Sequence, residues 1–232
     1  MKRIAIALML FGAMFSANAR QRTFSVVSPD MKNSAKVTTD AGGFRLEVSR
    51  NGSIVLNVND IRMNVDERLW DGASGLKSVK KASRDNVLDY IVRRKYASIH
   101  ESYNEIALIY SGYRFVVRAY QDGVAWRFEG TEGRRGKVTG DNAHFIFQPE
   151  CQSYTLLTKE LQNWFEENYT CTEIGSLPED MLSIMPVMVR SGGCNVLLAE
   201  ADVYNYSGAY LRPCGDGFES VRAYEDARHI EQ

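Results

Sequence analysis

The sequence predicts an all-β fold, a large antiparallel β-sandwich, on three observations. The first is residues 113–129, YRFVVRAYQDGVAWRFE, where apolar and polar side chains alternate on both sides of Asp122-Gly123. Alternation of period two with one apolar face makes a strand lying over a core. The second is the recurrence of tight-turn signals, at Asp122-Gly123, Asn51-Gly52 and Ser191-Gly192-Gly193. The third is the scarcity of helical spacing. Only residues 154–168 carry it, at Leu156, Leu157, Leu161, Trp164 and Phe165, and that stretch is expected to be partly helical.

In chain order, Thr23 to Val27 forms a first strand, ended by Pro29-Asp30. Ala35 to Thr39, Phe44 to Val48, Ile54 to Leu56 and Ile61 to Val65 follow, so residues 20–65 read as a β-meander. Residues 66–86 are polar and contain Asp71-Gly72 and Gly75, which predicts loop. Within them Lys77, Lys80, Lys81 and Arg84 make a charge run of the kind found on a solvated strand edge. Strands are expected at 87–93 and 105–110, then the central hairpin. Its Asp122-Gly123 pair is expected to form a two-residue turn with positive φ at both positions. The basic loop TEGRRGKVT at 131–139 lacks phosphate-loop spacing. Further strands are expected at 144–147, 184–189 and 195–200, whereas 220–228 shows no clear closing strand.

The chain has 232 residues, formal net charge −1 and no long basic run, so nucleic acid is excluded as a partner on charge grounds. Residues 1–19 differ from the rest. Lys2 and Arg3 precede an apolar run, and Ala17-Asn18-Ala19 supplies a small-residue cleavage site. This is the pattern of a secretory signal peptide, which implies a periplasmic or extracellular mature chain beginning at Arg20. No later segment is long and apolar enough for a membrane span. Four cysteines, Cys151, Cys171, Cys194 and Cys214, leave one disulfide and buried free thiols equally open. Their spacing fits no zinc pattern, and His100, His144 and His229 are scattered. His144, in one short strand with Phe145 and Phe147, reads as a sheet residue rather than a base.

Chemistry has three candidate locations. Glu200 and Asp202 follow an apolar strand at i and i+2, and strand-end carboxylates can hold a hard cation. Trp126, Trp164, Tyr204, Tyr206 and Tyr210 could stack on sugar rings. Nucleophilic catalysis finds no His/Asp partner for Ser191 or the cysteines.

Four segments carry a resemblance: Ser28-Pro29-Asp30, Tyr103-Asn104-Glu105, RAYQDGVAWRF at 118–128 and EADVYNYSG at 200–208. In this order they resemble the N-terminal domain of family 97 glycoside hydrolases, α-glucosidases and α-galactosidases that are secreted. Ser207 stands where the family usually has proline, and Ala209 where it has methionine. The resemblance implies a galactose-mutarotase-like super-sandwich over residues 20–232 that packs on a catalytic (β/α)₈ barrel. It also implies that Glu200 lends one ligand to a calcium ion held mostly by that barrel. No strand–helix alternation is present for the barrel itself. The expectation is therefore a sandwich, its last strands included or not, that is inactive alone: a fragment, a truncated product or half of a split enzyme. The alternative is a stand-alone carbohydrate-binding or scaffold module, with an α-linked oligosaccharide as its ligand.

Overall fold

The computed structural model describes residues 21–89, 95–131, 136–161, 164, 166–201, 203 and 206–222. The chain opens with a meander of β1 (Arg22–Val27), β2 (Asn33–Asp40), β3 (Gly43–Arg50) and β4 (Ser53–Val65), with β5 (Arg68–Trp70) folded back on β4. Asn51 and Gly52 take φ of 50° and 83° between the paired Arg50 and Ser53, the left-handed turn expected of an Asn-Gly pair.

A separate four-stranded sheet comes next: β6 (Ser78–Asp89), β7 (Ser98–Ile109), β8 (Tyr113–Tyr120) and β9 (Val124–Gly130), paired in that order. The chain then returns to the first sheet with β10 (Val138–Ile146), β11 (Gln152–Thr158), β12 (Thr170–Glu173), a 3₁₀ turn at Ile174–Ser176, β13 (Leu182–Ser191), β14 (Cys194–Leu198), β15 (Ala209–Pro213) and β16 (Gly217–Arg222). The resulting twelve-stranded sheet runs β1-β2-β3-β4-β10-β16-β15-β13-β11-β12, with β5 on β4 and β14 on β13. All pairings are antiparallel. The two sheets face each other through β1 and β2 against β7, β8 and β9. The all-β sandwich is therefore as the alternation predicts.

The core between the sheets is aromatic. Phe44 stacks on Phe115 at 4.3 Å, Tyr110 on Tyr113 at 4.8 Å and Tyr113 on Trp70 at 4.9 Å. Gly72 closes this cluster. It sits at φ +78°, and a Cβ there would stand 2.4 Å from the Phe44 ring. Its amide donates to the Tyr113 hydroxyl at 3.1 Å, and its carbonyl accepts the hydroxyl of Thr39. Burial pushes the phenols of Tyr110 and Tyr113 upward, so both stay neutral, Tyr110 donating to the Gly72 carbonyl and Tyr113 accepting from its amide.

Four expectations are corrected. Residues 68–70 and 78–86 are strand, not loop. β6 is the outer strand of the small sheet and is exposed along almost its whole length, so burial imposes no apolar alternation on it. Its lysines and arginine lie on that edge, where charge opposes edge-to-edge pairing. Residues 152–158 are likewise strand rather than helix. Leu156 packs with Leu182, Ile184 and Tyr210, while Leu157 packs on the main core, and a strand covered on both faces loses its alternation. The turn of the central hairpin is Gln121-Asp122, closed by Tyr120 N donating to Gly123 O at 2.8 Å, and neither Asp122 nor Gly123 has positive φ. The Asn33 side-chain amide donates to the carbonyls of Tyr120 and Gln121 at 2.9 and 3.0 Å, and tertiary contact thus overrides the dipeptide's preference. Finally, residues 217–222 do form a strand, inserted between β10 and β15. The segments at 1–20, 132–135 and 223–232 lie outside the described residues, as do Phe165, Asp202 and Tyr204.

Candidate functional site

Three of the four signature segments are structural. Ser28 Oγ donates to Asp30 Oδ1 at 2.6 Å and accepts from Asn33 N at 3.0 Å. Asn33 Oδ1 accepts from Arg50 while its amide holds the hairpin turn. Asn104 Nδ2 donates to Val27 O at 2.7 Å. Arg118 pairs with Glu105 at 2.7 Å and lies 4.4 Å over the Tyr103 ring. The Asn33 and Asn104 bonds fasten the first meander to the small sheet, and the Arg118 contacts join β7 to β8 within it.

The fourth segment is different. Glu200 follows β14 and returns toward β15, where its Oε2 accepts from Ala209 N at 2.6 Å. Its Oε1 accepts from Arg222 Nη1. Arg222, at the end of β16, also donates through Nε to both oxygens of Asp141 on β10, at 2.8 and 3.0 Å, and through Nη1 to Ser207 O at 3.2 Å. The Tyr206 ring lies 4.9 Å from the guanidinium. One arginine thus ties β10 and β16 to Glu200 and Ser207. Burial acts to lower the Arg222 pKa, but Asp141 and Glu200 outweigh it and hold the group firmly cationic. Burial, then the Asp141 charge, pushes the Tyr206 phenol upward. The side chains of Asp141, Glu200 and Arg222 are 10%, 24% and 19% exposed, so this is a half-desolvated network reached by solvent at Glu200.

Glu200 also lines a cavity of about 390 Å³ walled by Ile184, Met185, Pro186, Leu197 and Tyr210. The wall is mostly apolar, and Leu197 is left 61% exposed. Tyr210 is buried and donates to Leu161 O at 2.6 Å, drawing the post-β11 segment to the cavity. The expected aromatic platform is dispersed among the described residues: Trp126 packs on Phe145 at 5.8 Å, Tyr206 lies on Arg222, Tyr210 is buried, and Trp164 is 90% exposed.

A second polar cluster escapes sequence reasoning. His144 Nε2 lies 3.0 Å from Asp216 Oδ1 and 3.3 Å from Cys214 Sγ. Burial, together with Asp216, Glu219 and Glu179, pushes the Cys214 thiol up to about 12. The sequence signal is the Cys214-Gly215-Asp216 turn, two donor side chains at i and i+2; the histidine arrives only through the β10–β16 pairing. All four cysteines are free, Cys171 on the surface. Among the described residues, no helix is long and apolar enough to cross a membrane.

A family model described as Glycosyl-hydrolase 97 N-terminal matches residues 26–226. Among solved structures, the fold is similar to a glycoside hydrolase family 97 enzyme in complex with acarbose from Pseudoalteromonas sp. strain K8. The TM-score is 0.73 at 15% identity, over 86% of this chain and 32% of that one. It is also similar to a β-arabinopyranosidase, with TM-score 0.70 at 20% identity, over 85% of this chain and 35% of that one. The chain thus spans about a third of the length of these structures. No curated protein matches it.

Proposed function

This chain belongs to the glycosyl-hydrolase 97 N-terminal family, and we propose that it acts as the non-catalytic sandwich of a secreted, calcium-dependent glycoside hydrolase of α-glucosidase or α-galactosidase type. In this reading it packs on a catalytic (β/α)₈ barrel and has no turnover alone. The observation that carries the reading is the open cavity beside Glu200, where a carboxylate 24% exposed sits in a mostly apolar wall whose Leu197 is 61% exposed. An apolar rim around one charge is the composition of a surface covered by another domain. Residues 1–19 are proposed to be a cleaved leader, which places the mature chain in the periplasm or outside the cell.

Glu200 fits calcium as one donor. Each of its oxygens accepts one hydrogen bond, from Ala209 N and from Arg222, and a carboxylate oxygen has two lone pairs. Calcium takes about six to eight oxygens, so the barrel supplies the rest in this proposal. The Arg222 cation beside Glu200 opposes a metal ion when the chain is alone. Calorimetric calcium titration is expected to give millimolar affinity or weaker, and micromolar binding would overturn the shared-site reading.

The decisive assay is hydrolysis of nitrophenyl α-glucoside and α-galactoside by the purified chain with calcium present. No turnover is expected; clear turnover refutes the non-catalytic role. The second reading, a stand-alone carbohydrate-binding or scaffold module, is favoured by the exposed face of Trp164. Titration with malto-oligosaccharides separates the two, since saturable heat below millimolar sugar supports the module and silence counts against it.

A further inference from the structure

We propose that His144, Cys214 and Asp216 form a binding site for a zinc-class divalent ion, separate from Glu200. The ligand atoms are His144 Nε2, Cys214 Sγ and an Asp216 carboxylate oxygen, all within 4.8 Å of one another. Their separations are 3.0 Å for N to O, 3.3 Å for N to S and 3.8 Å for S to O. Zinc binds nitrogen and oxygen at about 2.0–2.2 Å and sulfur at about 2.3 Å, which under tetrahedral angles puts donors about 3.4–3.6 Å apart. The observed triangle is therefore close to the size of one face of a zinc tetrahedron, with small side-chain adjustments at each corner.

The scaffold holds these donors in place. Cys214 N donates to Gly217 O at 3.1 Å and Asp216 N to Cys214 O at 2.7 Å, closing the turn between β15 and β16. Phe147 N donates to Asp216 O at 2.9 Å, which ties that turn to the end of β10. His144 projects from β10 on the face opposite the buried Phe145, and Glu219 is its register partner on β16. A fourth ligand would come from the solvent side, where the side chains of His144 and Asp216 are 23% and 49% exposed. Glu179 lies beside the turn, its carboxylate 3.7 Å from where a Cβ on Gly215 would be. Two further carboxylates beside the site favour a cation. A thiolate and an imidazole select zinc, cobalt, nickel or copper over calcium or magnesium. The ion would pin the β15–β16 turn to β10 and so fasten the last described strand into the sheet.

The test is titration of cobalt(II) into the reduced full chain, followed by absorption. One equivalent is expected to bind with a thiolate-to-cobalt charge-transfer band and tetrahedral visible bands, both abolished by zinc. Cys214→Ser should lose the charge-transfer band. His144→Gln should weaken binding by about tenfold or more, since a ligand matters at least as much as its supporting partners. A variant with Cys151, Cys171 and Cys194 all changed to serine should bind as the parent does. Circular dichroism on each variant separates ligand loss from unfolding. Absence of the bands in the folded parent, or their survival in folded Cys214→Ser, would overturn the proposal.

Discussion

The strands up to β9 and the strands from β10 onward use polar residues in different ways. In the first group, polar side chains serve turns and seams: Ser28, Asp30 and Asn33 anchor the central hairpin, and Arg118 pairs across neighbouring strands with Glu105. Stability there rests on stacked rings. In the second group, polar side chains far apart in sequence converge, Arg222 on Asp141 and Glu200, His144 on Cys214 and Asp216. The cause is topological. β1 to β4 and β6 to β9 pair with sequence neighbours, whereas β10 pairs with β4 and β16, and β13 with β11 and β15. Non-local pairing juxtaposes groups that no short motif links, and both candidate sites lie there.

Four changes would break or sharpen this contrast. The largest effect is expected from Phe44→Ala, which empties the ring cluster against Phe115, Tyr110 and Phe128. Truncating a fully buried phenylalanine costs about 3–5 kcal/mol, measurable by urea denaturation. Arg222→Met should come next. It leaves Asp141 and Glu200 facing each other without a counter-ion. Breaking a buried pair costs about 3–5 kcal/mol, and the solvent reaching this one brings the expectation to about 2–3. Hydrogen exchange should rise around β10 and β16 before the small sheet; a uniform rise would erase the distinction drawn here.

Asn33→Ala removes the donor held by two turn carbonyls and should cost about 1–3 kcal/mol. Melting temperature measures it, and no change would make the Asn33 anchor dispensable. The smallest effect concerns acid. The Ser28 hydroxyl holds the Asp30 carboxyl below its usual range, with help from the Lys32 amide and charge. A depressed folded pKa adds stability that is present above the unfolded value, about 3.9, and is lost as pH falls through the folded one. Ser28→Ala should therefore lower stability slightly at neutral pH and flatten its decline below pH about 4. An unchanged acid limb would remove Asp30 from the account.

Much of the first group was legible because its rules are local. Asn51-Gly52 forms its expected turn, and the alternation at 113–129 matches the burial of Phe115, Val117 and Ala119. Two strands were misread where the environment departs from one dry and one wet face. β6 is wet on both sides and reads as loop, while β11 is covered on both and reads as helix. At the candidate sites, Glu200 was legible as a strand-end acid, but its partner Arg222 was not. The convergence of His144 on Cys214 and Asp216 was not legible either, because the histidine lies some 70 residues from the Cys214-Gly215-Asp216 turn.

By itself the sequence determined the class of fold, the meander, most turns and the family, since alternation and turn chemistry act over a few residues. Only the tertiary structure decided that β16 inserts between β10 and β15, and hence that Arg222 reaches Asp141 and Glu200 while Cys214 and Asp216 reach His144. Register across a non-local pair is set by burial of the whole sheet against its partner, and no window of neighbouring residues contains that information.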